Sequence, residues 1–173
     1  MSTVYARVLG EAGLEALSPE CRALHASHGA FDGVIDVETT TNPLFRFALR
    51  VFGFPYKPGQ ASVIFSNTAK GDVDNWQRQM GDHRMSSILS EKDGWLHESL
   101  GGLTVLCRLE TRDGGLDLID MRFRLLGVPL PLWACPKVSA SERPKKGGYG
   151  FDIEIKTPWG GKLVRYSGVL RTL

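Results

Sequence analysis

From residue 31 to residue 171 the apolar side chains fall on every second position, and this period limits the fold more than any other feature. In 31-FDGVIDVETT-40, Phe31, Ile35 and Val37 share one face, while Asp32, Asp36 and Glu38 share the other. In 149-YGFDIEIKT-157, Tyr149, Phe151, Ile153 and Ile155 alternate with Asp152, Glu154 and Lys156. The pattern recurs around 60–67, 73–80, 84–91, 95–100, 103–112, 115–125 and 162–171. Segments of this kind are antiparallel strands with one dry and one wet face. Asp93-Gly94, Asp113-Gly114-Gly115 and Gly147-Gly148 supply turns between them. A sheet of about nine strands tends to curl, and closure removes its edges. The expected fold class is mainly β (α+β), an antiparallel meander curled into a barrel or half-barrel.

Two helical regions flank or interrupt the meander. Residues 1–29 read as a helical pair packed on a 31–173 barrel. Tyr5, Val8, Leu9 and Ala12 follow helical spacing, and a second helix has Ser18 as cap, Pro19 in its first turn and Gly29 at its end. In 42-NPLFRFALRVFGFP-55, Asn42 caps, Pro43 starts, Gly53 stops and Pro55 forbids continuation. Only Arg46 and Arg50 are polar between them, so this helix is expected at an open end of the barrel, as a core helix, a lid or a membrane-surface helix. The segment 125-LLGVPLPLWACP-136, apolar and broken by prolines, is the candidate for the other lip.

The chain of 173 residues fits one domain. With 21 basic and 19 acidic residues it has no general affinity for nucleic acid. Cys21, Cys107 and Cys135 make neither a disulfide framework nor a paired-cysteine zinc motif, which points to a reducing compartment. The N-terminus lacks a signal-peptide core and no apolar run reaches bilayer length, so the expected location is cytoplasmic. There is no nucleophile elbow, phosphate loop or Rossmann glycine fingerprint, and no cofactor is expected.

The candidate chemistry begins at 74-DNWQRQMGDHRM-85. Here Trp76, Arg78 and Met80 share a strand face. The plainer reading puts Arg78 near a sheet end, with its stem on Trp76 and its head in water. The sharper one makes the dry face a cavity wall where Arg78, with Arg84, anchors an anionic or carbonyl end of a ligand. Trp76, Met80, Phe65 and Phe123 would then contact its apolar part, and an acidic partner such as Glu98 or Glu142 would weaken the case. Arg84, Arg122, Arg124 and Arg165 could attract an anion as a ring, or be a solvated face paired with Asp and Glu. His83 and His97 are the candidates for proton transfer, His97 reaching the cavity alongside Trp95. No metal is expected; the one candidate set is Cys21, His25 and His28 on the second helix, against which stands a buried cysteine with a hydrogen-bonded His25.

The segments 5-YARVLGEA-12, 17-LSPECRALH-25, 76-WQRQMGDHRMSS-87, 122-RFRLLGVPLP-131 and 163-LVRYSGVL-170 resemble an uncharacterised bacterial family, a domain of unknown function whose members often follow a saccharopine-dehydrogenase-like Rossmann domain. The resemblance covers nearly the whole chain, and 122–131 is its most specific part. It implies a possible Rossmann-type dehydrogenase partner. With no Rossmann portion in view, it carries over no dehydrogenase activity and no catalytic residues.

The residues therefore point to binding of a small apolar or amphipathic molecule, such as a lipid, isoprenoid or polyketide-like compound, inside the barrel. The rivals are a cofactor-free isomerase, cyclase or hydrolase in the same cavity, and an interaction module for a Rossmann-type partner. Transient membrane-surface contact through residues 43–53 is a further expectation.

Overall fold

The computed structural model describes residues 2–173. Two helices come first, α1 (Val4–Glu15) and α2 (Pro19–Ala26), with α1 kinked at Gly10, where φ is 67°. Strand β1 (Gly29–Thr39) follows, then α3 (Pro43–Val51), then a meander β2 (Gly59–Lys70), β3 (Val73–Met80), β4 (His83–Lys92), β5 (Trp95–Leu100), β6 (Leu103–Arg112) and β7 (Gly115–Leu125). A two-residue strand β8 (Val128–Pro129) and a 3-10 turn at Leu132–Ala134 precede β9 (Lys137–Lys145), β10 (Gly148–Lys156) and β11 (Lys162–Thr172).

The sheet is closed. The order β6-β5-β4-β3-β2-β1-β11-β10-β9-β7 returns to β6 through the β6–β7 hairpin, and every pairing is antiparallel. The half-barrel alternative therefore gives way to a barrel of ten strands. The tenth, β9, has no clean alternation: 137-KVSASERPK-145 presents only Val138, Ala140 and Glu142 to the interior. It pairs fully with β10 but meets β7 only over Leu116–Leu118. Closure there requires Gly115, since a Cβ at that position would lie 2.0 Å from the Glu142 carbonyl oxygen.

One register shift corrects the reading of β7. A bulge opposite Leu106–Arg108 puts Asp120 at φ 53° and adds one residue. Leu116 and Leu118 face inward before it, and Met121, Phe123 and Leu125 after it. Ile119, which strict alternation would put on the Phe123 face, instead falls on the outer one opposite Arg108.

The two barrel ends are closed differently. At the first, α1 and α2 plug the interior, held by buried polar residues. Asp74 of β3 accepts from the Val4 N–H at 2.7 Å and lies 2.8 Å from His28 Nε2. Asn67 of β2 accepts from the Gly29 N–H at 2.6 Å and donates to the Ser27 carbonyl at 3.1 Å. Thr3 caps α1, accepting from the Ala6 N–H, and its hydroxyl donates to the His25 carbonyl. Ser18 and Pro19 begin α2 as expected, but Gly29 opens β1 rather than ending the helix. At the second end, here called the mouth, α3 lies across the opening. Asn42 Oδ1 accepts from the Leu44 and Phe45 N–H groups, as the sequence indicates.

The outer wall is charged. Arg165 makes a two-pronged pair with Asp152 at 2.9 and 2.6 Å, and Arg108 and Arg122 stack over Trp95 at 4.9 and 4.6 Å from the ring centre. Of the four arginines expected as a ring or a paired face, Arg165 pairs with a carboxylate, Arg122 stacks on Trp95 and Arg84 donates to Gln79. No helix among the described residues is long and apolar enough to cross a membrane.

Candidate functional site

The inward side chains leave a cavity of about 370 Å³ along the barrel axis. That lies within the range of roughly 300–1,000 Å³ usual for small-molecule sites. It runs from Tyr5 and Leu24 on the plug to Phe45, Leu49 and Phe52 on α3. Phe65, Trp76, Met80 and Phe123 line it, each at most 6% exposed. Toward the mouth β7 leaves β9 and pairs with β8, so the wall beside Met121 and Val138 has no ladder. Leu130 and Pro136 of the intervening segment line the cavity at this seam.

Polar groups gather at the plug end. Arg78 points inward with Trp76 and Met80, lines the cavity and is half-buried, its side chain 16% exposed, so its head is turned to partners inside the barrel rather than out into water. Its guanidinium donates to Glu98 Oε1 and to Ser87 Oγ, both at 3.1 Å, and lies 5.0 Å from the Trp76 ring centre and 5.9 Å from that of Phe65. Burial alone would lower its pKa; the Glu98 charge and hydrogen bond, with nearby Tyr166 and Tyr5, outweigh this and raise it. Arg78 thus carries its own counter-ion.

Below it, Tyr5 stacks on both His25 and Trp76, with ring centres 4.2 and 5.0 Å apart. His25 Nε2 lies 2.6 Å from Glu142 Oε2, and both residues are buried. Burial pushes the Tyr5 and Tyr149 phenols well above their usual value, and the Glu142 charge adds to it. Burial likewise pushes Tyr166 up to about 12. At neutral pH all three hydroxyls are therefore protonated donors. The indole N–H of Trp76 is buried and has no acceptor among the described residues.

Several expected positions fall elsewhere. Arg84 precedes inward-facing Met85 and so points out, donating to Gln79 Oε1 at 3.1 Å. His97 and Trp95 are also on the outer face, because Leu96, Glu98 and Leu100 take the inner one. Burial, with Arg124 and Lys92 nearby, lowers the His97 pKa. His83 sits at the mouth end of β4, its Nε2 3.0 Å from the Gly53 carbonyl oxygen and its ring edge-on to Tyr56. It lines a separate hollow under residues 55–61 rather than the main cavity. The metal candidate dissolves for a similar reason: His25 is turned to Glu142 and His28 to Asp74, and the described residues contain no group of three ligands. Cys21 stays buried in the core, with its thiol pKa raised by burial.

Sequence reading missed the tyrosines of the floor. Tyr149 and Tyr166 were visible as inward positions of β10 and β11, but the spacing along separate strands does not show that they line one cavity with Tyr5 of a helix.

The fold and site define a closed β-barrel domain with an internal cavity and a helical plug. A family model described as Domain of unknown function (DUF4166) matches residues 17–170, and the chain belongs to that family. No curated protein matches it.

Proposed function

We propose that this domain binds a neutral amphipathic small molecule, with its apolar body along the barrel axis and a carbonyl or hydroxyl end at the floor. The class is that of lipids, isoprenoids and polyketide-like compounds. One observation carries this reading: in a cavity otherwise walled by Leu, Ile, Val, Met and Phe, the polar groups are collected at one end. Arg78, the Trp76 indole and the three tyrosine hydroxyls offer donors there, and Glu98 and Glu142 offer acceptors. Of the two ligand ends the sequence allowed, the carbonyl is favoured over the anion. Glu98 already neutralises Arg78, and Glu142 adds a second carboxylate facing the same space.

Displacement of an environment-sensitive apolar dye by a long-chain ketone, the matching alcohol and the matching fatty acid tests this. The ketone and alcohol are expected to displace the dye, and the fatty acid to be weaker by about tenfold or more at neutral pH. In the double variant Arg78→Met/Glu98→Leu, the ketone should lose its advantage over the plain alkane. Tightest binding by the fatty acid, lost in Arg78→Met, would instead establish the anionic anchor. Failure of all three to displace the dye would sink the reading. The rival, a cofactor-free enzyme, would have to use Glu98 or Glu142, since His83 and His97 lie off the cavity; turnover of the bound ketone would favour it.

A further inference from the structure

The mouth carries large apolar side chains that nothing in the fold covers. On α3 the apolar residues form two stripes. Phe45, Ala48, Leu49 and Phe52 face the cavity. Leu44, Phe47 and Val51, at helical spacing on the other side, are 57–70% exposed. Across the opening Leu132 and Trp133 are 87% and 81% exposed, and Trp159, in the β10–β11 turn, is 75% exposed. Its ring lies 6.5 Å from that of Phe45, which joins this turn to the helix.

Leu126 provides an independent observation. Four hairpins turn through two residues with positive φ, and in the β5–β6 turn at the mouth both are glycine, Gly101 (φ 52°) and Gly102 (φ 94°). At the plug end the first residue is Asp93 (φ 54°) or Asp113 (φ 52°), each followed by Gly. At the mouth the same place in the β7–β8 turn is taken by Leu126 (φ 50°), 80% exposed. A left-handed backbone disfavours leucine, whereas Asn, Asp and Gly accept it. A strained position that holds an apolar side chain out in solvent is one where function outweighs local stability.

Charge sorts the same way. The mouth segments 39–62, 80–83, 99–105, 121–138 and 155–163 include Arg46, Arg50, Lys57, Arg122, Arg124, Lys137, Lys156 and Lys162 against one carboxylate, Asp82. Asp82, at the β3–β4 turn, pairs with Lys57, and the other carboxylates begin on the wall below, where Glu38 pairs with Lys162 and Glu154 with Lys156.

We infer that the mouth docks on an anionic lipid surface. Leu126, Leu132, Trp133, Trp159 and the outer stripe of α3 enter the headgroup–acyl boundary, and the basic residues meet the headgroups. Apolar tips ringed by an excess of cations, of which Arg46, Arg50, Arg124 and Lys137 have no carboxylate partner among the described residues, match an anionic bilayer. The seam beside Leu130 and Pro136 then faces the membrane, so a ligand dissolved in lipid can pass into the barrel without crossing water. The purpose of docking rests on the cavity reading, but docking itself is measured separately.

Co-sedimentation with phosphatidylcholine vesicles, with and without phosphatidylglycerol, provides the test. The full chain is expected to sediment with the anionic vesicles at low salt and to be released by high salt. Leu132→Ser/Trp133→Ser should weaken binding at least tenfold. Arg50→Glu/Lys137→Glu should weaken it about 25-fold or more, taking roughly a fivefold effect per cation near the surface. Both variants alter exposed positions, and unchanged dye binding in the cavity would show that they are folded. Wild-type protein that ignores both vesicle types overturns the inference, as does equal binding by the Leu132/Trp133 variant. Mouth-dependent doubling of the mass in solution without vesicle binding also overturns it and assigns the surface to a second copy. Vesicle binding without any cavity ligand would overturn the proposed function and leave docking standing.

Discussion

The two ends of this barrel are built from opposite materials. At the floor, polar groups are turned inward and paired: His25 with Glu142, Arg78 with Glu98, Asp74 with the start of α1. At the mouth, apolar groups are exposed and unpaired: Leu126, Leu132, Trp133 and Trp159. Folding by burial alone would favour the reverse at both ends. The floor favours one arrangement of plug and barrel, because its paired groups would lose their partners in any other. The mouth contributes little to that arrangement and is free to serve contact with something outside the chain.

The sharpest way to break the comparison is at the floor. His25→Leu leaves Glu142 buried without its partner and should cost about 3–5 kcal/mol, read as a lower denaturant midpoint. Trp133→Ser at the mouth should change the same midpoint by less than about 0.5 kcal/mol. If the two cost the same, the division between a structural floor and a functional mouth is wrong. The smallest expected effect has the opposite sign. Leu126→Asn relieves a left-handed leucine and should raise stability by about 0.5–1 kcal/mol, while weakening attachment to anionic vesicles. A stabilised variant that binds vesicles as well as the wild type would show that Leu126 has no part in docking.

The floor and the mouth also differ in how far they could be read from residues alone. Strict alternation and Asp-Gly turns made most strands legible, and with them the inward positions of Phe65, Trp76, Arg78 and Met80. Alternation fails where a strand bulges, as at Asp120, and it cannot reveal β9, whose inner face is Val138, Ala140 and Glu142. Without β9 the barrel does not close and Glu142 has no place beside His25. The histidines were misplaced because a one-residue difference in where a strand starts moves a side chain from one face to the other. His97 and Arg84 sit beside inward residues, not among them. At the mouth, the composition of 43–53 and 125–136 showed apolar segments at an opening. Their exposure depends on how turns project, and Trp159, alone between Pro158 and Gly160, carried no periodic signal.

The central claim is that the interior holds one amphipathic molecule. Native mass spectrometry of the full chain mixed with an equimolar long-chain ketone tests it most directly, run beside Ala140→Phe, which fills the cavity from β9. The expected result is a one-to-one adduct with the wild-type chain and none with Ala140→Phe. No adduct with the wild type, or the same adduct with both, would contradict it.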